Sequence, residues 1–566
     1  MQSRHPGFVC QINIIMKRLL YQIHRWAGIA LALFMFTWFS SGLVIMYAGS
    51  SALGPTEQLA KRELLNPQTG WLSLGEAWAR STEQRRQLPQ DPSRDESRPQ
   101  VQPEAPATKT GKGDLIEDAR LVRQAGKPQW LIEDGSGRHF ALSAESGSLH
   151  ETSVAEATQI AAHWVANDSD RPSAAPAIIK LLDTGPQDSS VRNQEALRPF
   201  HRFAVNDSGR EVLISAKTGE VVRDSTPLAR ALYWTGNWIH LLRPLDAIGL
   251  GKVRRDVLTW LAFFVVAASV TGLIIGWQRW RPGLGDRPTY SQGRVHPYRD
   301  VWNTWHFWAG LVGGTAALLW GVSGFLNNNP WQIFSPANPS KVELTRYQGG
   351  RSVPPVMLAW RPTAHGNAET QIVELTWRRL SDQAVLLGLT NSGVRIPQAT
   401  PGTVNGFSEA SLLEAVDRLT AHTPVAGRAL QTEYDSYYYP RHLQGLVEKP
   451  LPVLRVDLAD NAGTHLYMDP QDGRLLTRQD SSRRAYRWLF SATHHWDFGW
   501  LYQRPIWDAW MLTWVLMGVI LSGASVVLGW KRLQLEYLAL KRVTQNRHAS
   551  QQEEKEMGSG LAASRT

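Results

Sequence analysis

The chain has 566 residues, a net charge of +10 and a mean hydropathy of −0.28, so most of it faces water and it can hold several domains. Its single cysteine, Cys10, excludes an intrachain disulfide, a cysteine-ligated iron–sulfur cluster and a c-type haem, whose attachment needs C-x-x-C-H. The basic clusters do not alternate with aromatic residues that could stack on bases, which argues against nucleic acid as a partner.

Four segments of mostly apolar residues are long enough to cross a bilayer, and a buried helix of a soluble protein rarely runs this long without a charge. The sequence therefore predicts a membrane protein with a four-helix transmembrane bundle. The predicted parts are an N-terminus at 1–18, spans at 19–47, 257–277, 302–327 and 505–530, insertions at 48–256 and 328–504, a loop at 278–301 and a tail at 531–566.

The cations that flank the spans predict the orientation, because Lys and Arg near the ends of spans stay in the cytoplasm. Lys17 and Arg18 precede the first span, five arginines lie in the loop 278–301, and Lys531 and Arg532 follow the fourth span. We expect both termini in the cytoplasm of a bacterium and both insertions in the periplasm, across the inner membrane. The first span is too long for a signal peptide and lacks a clear cleavage site, so it should remain as an anchor.

The two halves of the chain repeat each other. An identical H-x-W-A-G motif opens the first and third spans at His24 and His306, which are separated by 282 residues. Before the second and fourth spans, His240 pairs with His494 at a separation of 254 residues (240 to 494). These repeats predict an internal duplication with a pseudo-two-fold axis along the membrane normal, and sites are expected where the halves meet.

The insertions carry short alternating runs and helical stretches that are typical of small α+β modules. Runs at 199–221 and 452–475, with a weaker copy at 129–147, predict β-hairpins, and Val154–Asn167 and Ser408–Ala421 predict helices. Residues Thr82–Gly113 are rich in Pro, Gln, Ser and charge, which predicts a flexible loop.

Five of the 16 histidines lie at the ends of the spans, where an ionisable side chain is costly and normally has a function. These candidate ligands are His24, His306, His240, His494 and His495. Paired imidazoles on facing helices suit non-covalent haem b, with one haem between His24 and His306 at the cytoplasmic face and a second between His240 and His494 at the periplasmic face. His495 competes with His494 for the ligand role. Zinc at His494 and His495 with Asp497 is an alternative, as are plain interfacial histidines.

The two H-x-W-A-G openings, the hairpin modules and the Gly-Trp pairs that end each half at 276–277 and 529–530 resemble the PepSY-associated transmembrane family. The resemblance is nearest to the branch of FoxB-type siderophore reductases of the inner membrane. It implies PepSY-like periplasmic insertions, haem within the four-helix bundle and reduction of ferric siderophores in the periplasm. The membrane histidines of the family fall on His24, His306, His240 and His494.

The function we expect is that of an oxidoreductase, a di-haem protein that carries electrons across the membrane in iron uptake. No G-x-G-x-x-G or P-loop is present, so a cytoplasmic electron donor must bind from outside the chain. The expected acceptor is a ferric siderophore or another periplasmic oxidant, and membrane lipid surrounds the spans. Two alternatives stay open: a membrane-anchored periplasmic PepSY binding or regulatory protein without redox activity, and a small transporter with histidines in a proton or metal path.

Overall fold

The computed structural model describes residues 6–48, 53–88, 115–168, 177–186, 194–363, 371–440, 447–501 and 503–563. The chain forms two compact units. The helical unit comprises Met1–Tyr47, Thr235–Gln332 and Trp488–Thr566, and the β-rich unit comprises Ala48–Trp234 and Ile333–Arg487.

Four long helices form the helical unit: Pro6–Ile45, Arg254–Arg279, Val301–Asn327 and Ile506–Ala563. They are the four helices, within the described residues, that are long and apolar enough to cross a membrane. We call them the first to fourth spans. Each packs against two neighbours, in the cyclic order first, second, third, fourth. The predicted four membrane helices are therefore confirmed.

Two of the helices extend beyond the predicted spans. The first helix begins at Pro6 rather than at residue 19, and the fourth continues to Ala563, well beyond the predicted end at residue 530. Residues 531–563 are rich in Leu, Gln, Glu, Lys and Arg, which favour helix without favouring a bilayer. A hydropathy profile identifies the apolar part of such a helix and does not identify its polar continuation.

The β-rich unit contains fifteen strands within the described residues. They are β1 (Ile116–Gln124), β2 (Lys127–Asp134), β3 (His139–Ser143), β4 (Leu149–His150), β5 (Ile179–Gly185), β6 (Phe200–Val205), β7 (Arg210–Ser215), β8 (Val221–Ser225), β9 (Ile372–Leu380), β10 (Gln383–Thr390), β11 (Arg395–Pro397), β12 (Val425–Gln431), β13 (Val453–Leu458), β14 (His465–Met468) and β15 (Leu475–Gln479). The hairpins predicted from alternation are β6–β8, β13–β15 and β2–β3.

One antiparallel sheet joins the two insertions. Its order is β11-β10-β9-β1-β2-β3-β4, and its central pair is β1 with β9, in which Leu121 lies opposite Leu375. Leu121 and Leu375 are buried in one apolar core together with Trp130 and Trp377. The two insertions therefore share a core, which the local alternation of the sequence did not predict.

Two further sheets, β5-β6-β7-β8 and β12-β13-β14-β15, are each covered by one helix. Val154–Ala166 buries Ile160 and Trp164 against β6 and β7, and Glu409–Thr420 buries its apolar residues against β13 and β14. Ser153 and Ser408 cap these helices by accepting hydrogen bonds from backbone N–H groups of the first turn. Both predicted helices are confirmed.

The remaining α-helices are short. They are Pro55–Ala60, Leu74–Arg80, Thr82–Arg86, Pro227–Tyr233, Pro244–Ala247, Lys341–Tyr347, Pro355–Ala359, Ser481–Tyr486 and Thr493–His495. The prediction of a flexible loop at Thr82–Gly113 was wrong at its start, because Thr82–Arg86 is helical. Residues 89–114 lie outside the described residues.

Candidate functional site

A first cavity of about 390 Å³ lies among the four spans. His24 on the first span and His306 on the third span both line it, and their ring centres are 6.2 Å apart with the ring planes inclined by 49°. The structure thus brings together the two histidines that open the repeated H-x-W-A-G motif.

The lining of the first cavity is mainly apolar, with three arginines, Arg25, Arg279 and Arg532. The Arg279 guanidinium donates from Nη1 to the hydroxyl of Tyr298 at 2.8 Å and from Nε to that of Tyr21 at 3.2 Å. The two phenols hold the positive charge of Arg279 at the wall of a mainly apolar cavity. Such a cavity suits a ligand with an apolar body and anionic substituents.

Two glycines in this lining have different surroundings. A Cβ on Gly272 would lie 2.7 Å from Cε1 of His24, so only glycine lets the imidazole ring lie against the second span. A Cβ on Gly28, the last residue of the first H-x-W-A-G motif, would meet no atom within 4 Å. Gly272 therefore positions a ring, whereas Gly28 contributes open space.

A second cavity of about 250 Å³, also inside the helical unit, is lined by His240, His494 and His495. The rings of His494 and His495 are 5.2 Å apart, and the Trp38 ring lies 5.5 Å from that of His240, inclined by 33°. Adjacent residues of a regular α-helix point about 100° apart, which predicts that only one of His494 and His495 faces the site. Both line the same cavity, so that argument does not separate them.

The aromatic-rich segments that carry these histidines, 228–242 and 487–501, predict amphipathic helices along the membrane surface. Each instead passes through a π-helical turn just before its histidine, Trp234–Trp238 before His240 and Arg487–Ala492 before His494. A π-turn holds one extra residue and rotates the residues after it, and such turns are frequent at functional sites. This rotation changes the direction in which adjacent side chains point.

Burial affects the charge of two histidines of the second cavity, His240 and His494. Both residues lie outside the four spans. Burial lowers the pKa of His240 to about 4 and the pKa of His494 well below its ordinary value. Both imidazoles are therefore neutral at pH 7, the form in which histidine binds a metal.

Each of four histidines also has a hydroxyl partner that the sequence analysis missed. The Nδ1 atoms of His24, His240, His306 and His494 lie within 3.3 Å of hydroxyl oxygens of Thr271, Ser41, Ser525 and Ser323, respectively. One signal was available: a W-x-x-S-G motif occurs at 38–42 and again at 320–324, with the same 282-residue separation as His24 and His306.

The described residues contain no group of three or more His, Cys, Asp or Glu side chains placed to hold a metal ion. This finding counts against the zinc alternative at His494, His495 and Asp497, since a structural zinc site needs four ligands and a catalytic one three. An iron that is already held by a porphyrin needs only two axial imidazoles.

Comparison with known protein families shows the family to which the chain belongs. The sequence model of the PepSY-associated TM region matches residues 21–385. The chain belongs to this family. Within the PepSY-associated TM region the match includes His24, His240 and His306, whereas His494 and His495 lie beyond its end. No curated protein matches the chain. Family membership confirms a membrane protein of this kind, as the repeated membrane motif led us to expect.

Proposed function

We propose that this chain is a di-haem electron-transfer protein of the bacterial inner membrane that reduces a periplasmic ferric siderophore. The pairing of His24 with His306 across one cavity carries the proposal. The second cavity, with its own pair His240 and His494, supports it. The ferric siderophore as acceptor comes from the resemblance to FoxB-type reductases.

The dimensions of the first cavity fit a haem. Two imidazoles bound at about 2 Å to opposite faces of one metal ion have ring centres about 6 Å apart, and those of His24 and His306 are separated by 6.2 Å. The volume of about 390 Å³ is within the range of cofactor sites, about 300–1,000 Å³. The second cavity, at about 250 Å³, lies just below that range.

In this proposal the histidines bind the haems and the arginines bind the propionates. His24 and His306 would hold one haem and His240 and His494 the other, while Arg25, Arg279 and Arg532 supply positive charge for the propionates of the first. Bound haem supplies a reversible one-electron iron couple. His495 lies beside His494 in the second cavity, where it could replace that ligand or contact the acceptor.

The two cavities lie toward opposite ends of the bundle. His24 at the first cavity and Ser41, the partner of His240 at the second, lie on one helix and are separated by 17 residues (24 to 41), or about 25 Å along its axis. His306 and Ser323 repeat this separation on the third span. Two haems at these depths would together carry an electron across the bilayer, which neither would do alone.

The flanking charges set the direction of electron flow in this proposal. The arginine-rich loop 278–301 and the cations after the fourth span favour a cytoplasmic side for the first cavity and a periplasmic β-rich unit. An external cytoplasmic donor would therefore supply the electron at the first cavity, and a haem held by His240 and His494 would supply one-electron reduction of Fe³⁺ in a chelate. The resulting Fe²⁺ binds hard oxygen ligands more weakly, which loosens the iron.

The proposal includes an internal duplication. The histidines repeat at separations of 282 and 254 residues. The hairpins β1–β2 and β9–β10 have equal strand lengths and lie side by side in the seven-stranded sheet. Equivalent helices precede the two four-stranded sheets. A duplication of this kind explains why both halves of the chain contribute histidine to each cavity.

We expect detergent-purified protein to contain two haem b per chain, removable by acid-acetone because the single cysteine, Cys10, cannot form the C-x-x-C-H motif of covalent attachment. A pyridine haemochrome assay measures type and stoichiometry. Protein that stays colourless after expression with ample haem would exclude the redox function and favour a periplasmic binding or regulatory protein or a small transporter. Haem that resists extraction would show a covalent type.

Gly272→Ala is expected to abolish haem binding at the first site, because the new methyl group would lie 2.7 Å from Cε1 of His24 and force the ring away. Gly42→Ala is the matched control, since its Cβ would lie 3.6 Å from Cε1 of His240, an ordinary contact distance. Haem content per chain, with size-exclusion profiles, checks the result. Equal haem content in both variants would show that the position of His24 is unimportant.

A further inference from the structure

The four paired histidines share one arrangement of hydrogen bonds. In each case the imidazole Nδ1 faces a hydroxyl oxygen on a span of the same half of the chain. His24 and His306 lie on one span and face the other, whereas His240 and His494 lie just before one span and face the other. The pairs are His24 with Thr271 at 3.3 Å, His240 with Ser41 at 3.2 Å, His306 with Ser525 at 3.1 Å and His494 with Ser323 at 2.9 Å. Hydrogen bonding therefore links the two spans of each half, while each cavity lies between the halves.

The direction of these hydrogen bonds follows from the other contact of each hydroxyl. A serine or threonine hydroxyl has one proton, and each of these four donates it to a backbone carbonyl one turn earlier in its own helix. The acceptors are the carbonyls of Ala267 at 2.8 Å, Trp38 at 3.0 Å, Leu521 at 2.7 Å and Trp320 at 3.2 Å. When the hydroxyl proton goes to the carbonyl, only a lone pair of the oxygen faces the imidazole, and Nδ1 then has to carry the proton.

The hydroxyl residues repeat along the chain with the same separations as the histidines. Ser41 and Ser323 are 282 residues apart (41 to 323), the separation of His24 and His306. Thr271 and Ser525 are 254 residues apart (271 to 525), the separation of His240 and His494. Both members of every pair thus recur in the second half, although most surrounding residues differ.

We propose that Thr271, Ser41, Ser525 and Ser323 are positioning residues, which hold the four imidazoles as the Nδ1–H tautomer and leave the Nε2 lone pair free for a metal. A histidine ligand usually donates its other ring N–H to an acceptor that fixes its tautomer and orientation. The use of Nε2 for haem iron rests on the proposed function. The tautomer itself is a property of the chain and can be measured without haem.

The four pairs differ in how much the hydroxyl matters. His24 Nδ1 also lies 3.1 Å from the carbonyl of Ala268, and His306 and His240 have backbone partners in Leu521 and Trp38. For the Nδ1 atom of His494, Ser323 is the one hydrogen-bond partner found among the residues that the structure describes, and its bond is the shortest. Ser323 is fully buried. Its removal should have the largest effect.

The first test uses haem-free protein in lipid with ¹⁵N-labelled histidine, observed by solid-state NMR. Wild-type protein should show protonated Nδ1 and unprotonated Nε2 for the buried histidines, and Ser323→Ala should remove this pattern for one of them, assigned through His494→Ala. Ser522→Ala is the control, because Ser522 is buried and donates to the Gly518 carbonyl at 2.6 Å in the same way. An Nε2–H tautomer in wild-type protein, or an unchanged spectrum in Ser323→Ala, overturns the proposal.

The second test measures haem affinity. Loss of such an acceptor typically costs 10–100-fold in metal affinity, so we expect Ser323→Ala to weaken the second haem by at least about tenfold and to shift its midpoint potential. At the first site Thr271→Val should have a smaller effect, and Thr271→Ser, which keeps the hydroxyl, none. Wild-type protein without haem would refute the proposed function alone, since the NMR test still decides the tautomer. Wild-type affinity and potential in Ser323→Ala would refute the positioning role alone.

Discussion

Replacing His24 or His306 with alanine is expected to remove one of the two haems and to leave the spectrum of the other unchanged. The two rings face each other across the first cavity at 6.2 Å, whereas the second cavity has its own histidines. A porphyrin iron that loses one of two imidazole ligands is expected to bind far less firmly. Haemochrome stoichiometry and low-temperature spectra of the purified variants measure the loss.

His548→Ala is the control for this experiment, because His548 is exposed on the continuation of the fourth helix. The double variant His24→Ala/His306→Ala should lose no more haem than either single variant, since both residues serve one site. Full haem content in both single variants would show that these histidines are ordinary interfacial residues and do not bind haem. Loss of both haems from one variant would point instead to collapse of the bundle.

The second large effect is expected at the opposite cavity, in electron delivery. Protein reduced anaerobically with dithionite should be reoxidised by an added ferric siderophore, and His240→Ala or His494→Ala should slow this reaction strongly, because the haem nearest the acceptor is lost. Stopped-flow absorbance of the haem bands follows the reaction. His24→Ala and His306→Ala, which spare the second cavity, should still be reoxidised quickly.

His495→Ala distinguishes the two neighbouring histidines. Because His494 repeats the histidine–serine pair of His240 and Ser41, we expect His494→Ala to lose the second haem and His495→Ala to keep it. A loss confined to His495→Ala would transfer the ligand role to His495. Reoxidation at the wild-type rate in both His240→Ala and His494→Ala would remove this cavity from the electron path.

The sequence predicted the features that depend on local pattern. Long apolar stretches indicated the spans, alternating runs indicated hairpins such as β6–β7, and the helical pattern of Val154–Asn167 indicated the helix Val154–Ala166. The repeated H-x-W-A-G motif brought His24 and His306 into one hypothesis, and the structure places them in one cavity. Each of these signals is a short local pattern, and the H-x-W-A-G pattern occurs twice.

Features that depend on distant residues were not predictable from one sequence. The pairing of β1 with β9 joins residues that are some 250 positions apart, such as Val122 and Glu374, and no local property of either strand specifies its partner. The π-turns before His240 and His494 have no known sequence signature that we could apply. Ser41 and Ser323 looked like ordinary small residues of a membrane helix until the rings beside them were known.

The shared sheet also bears on how the protein is made. Strand β1 emerges from the ribosome long before its neighbour β9, because 252 residues separate Val122 from Glu374 (122 to 374) and the second and third spans lie between them. At about 5–20 residues per second, synthesis of that interval takes roughly 10–50 s. Throughout this time one edge of the nascent sheet has no partner, and an open edge invites association with other chains. Biogenesis of the first half should therefore depend on a holding chaperone on the side where β1 folds, until the second half arrives to close the sheet.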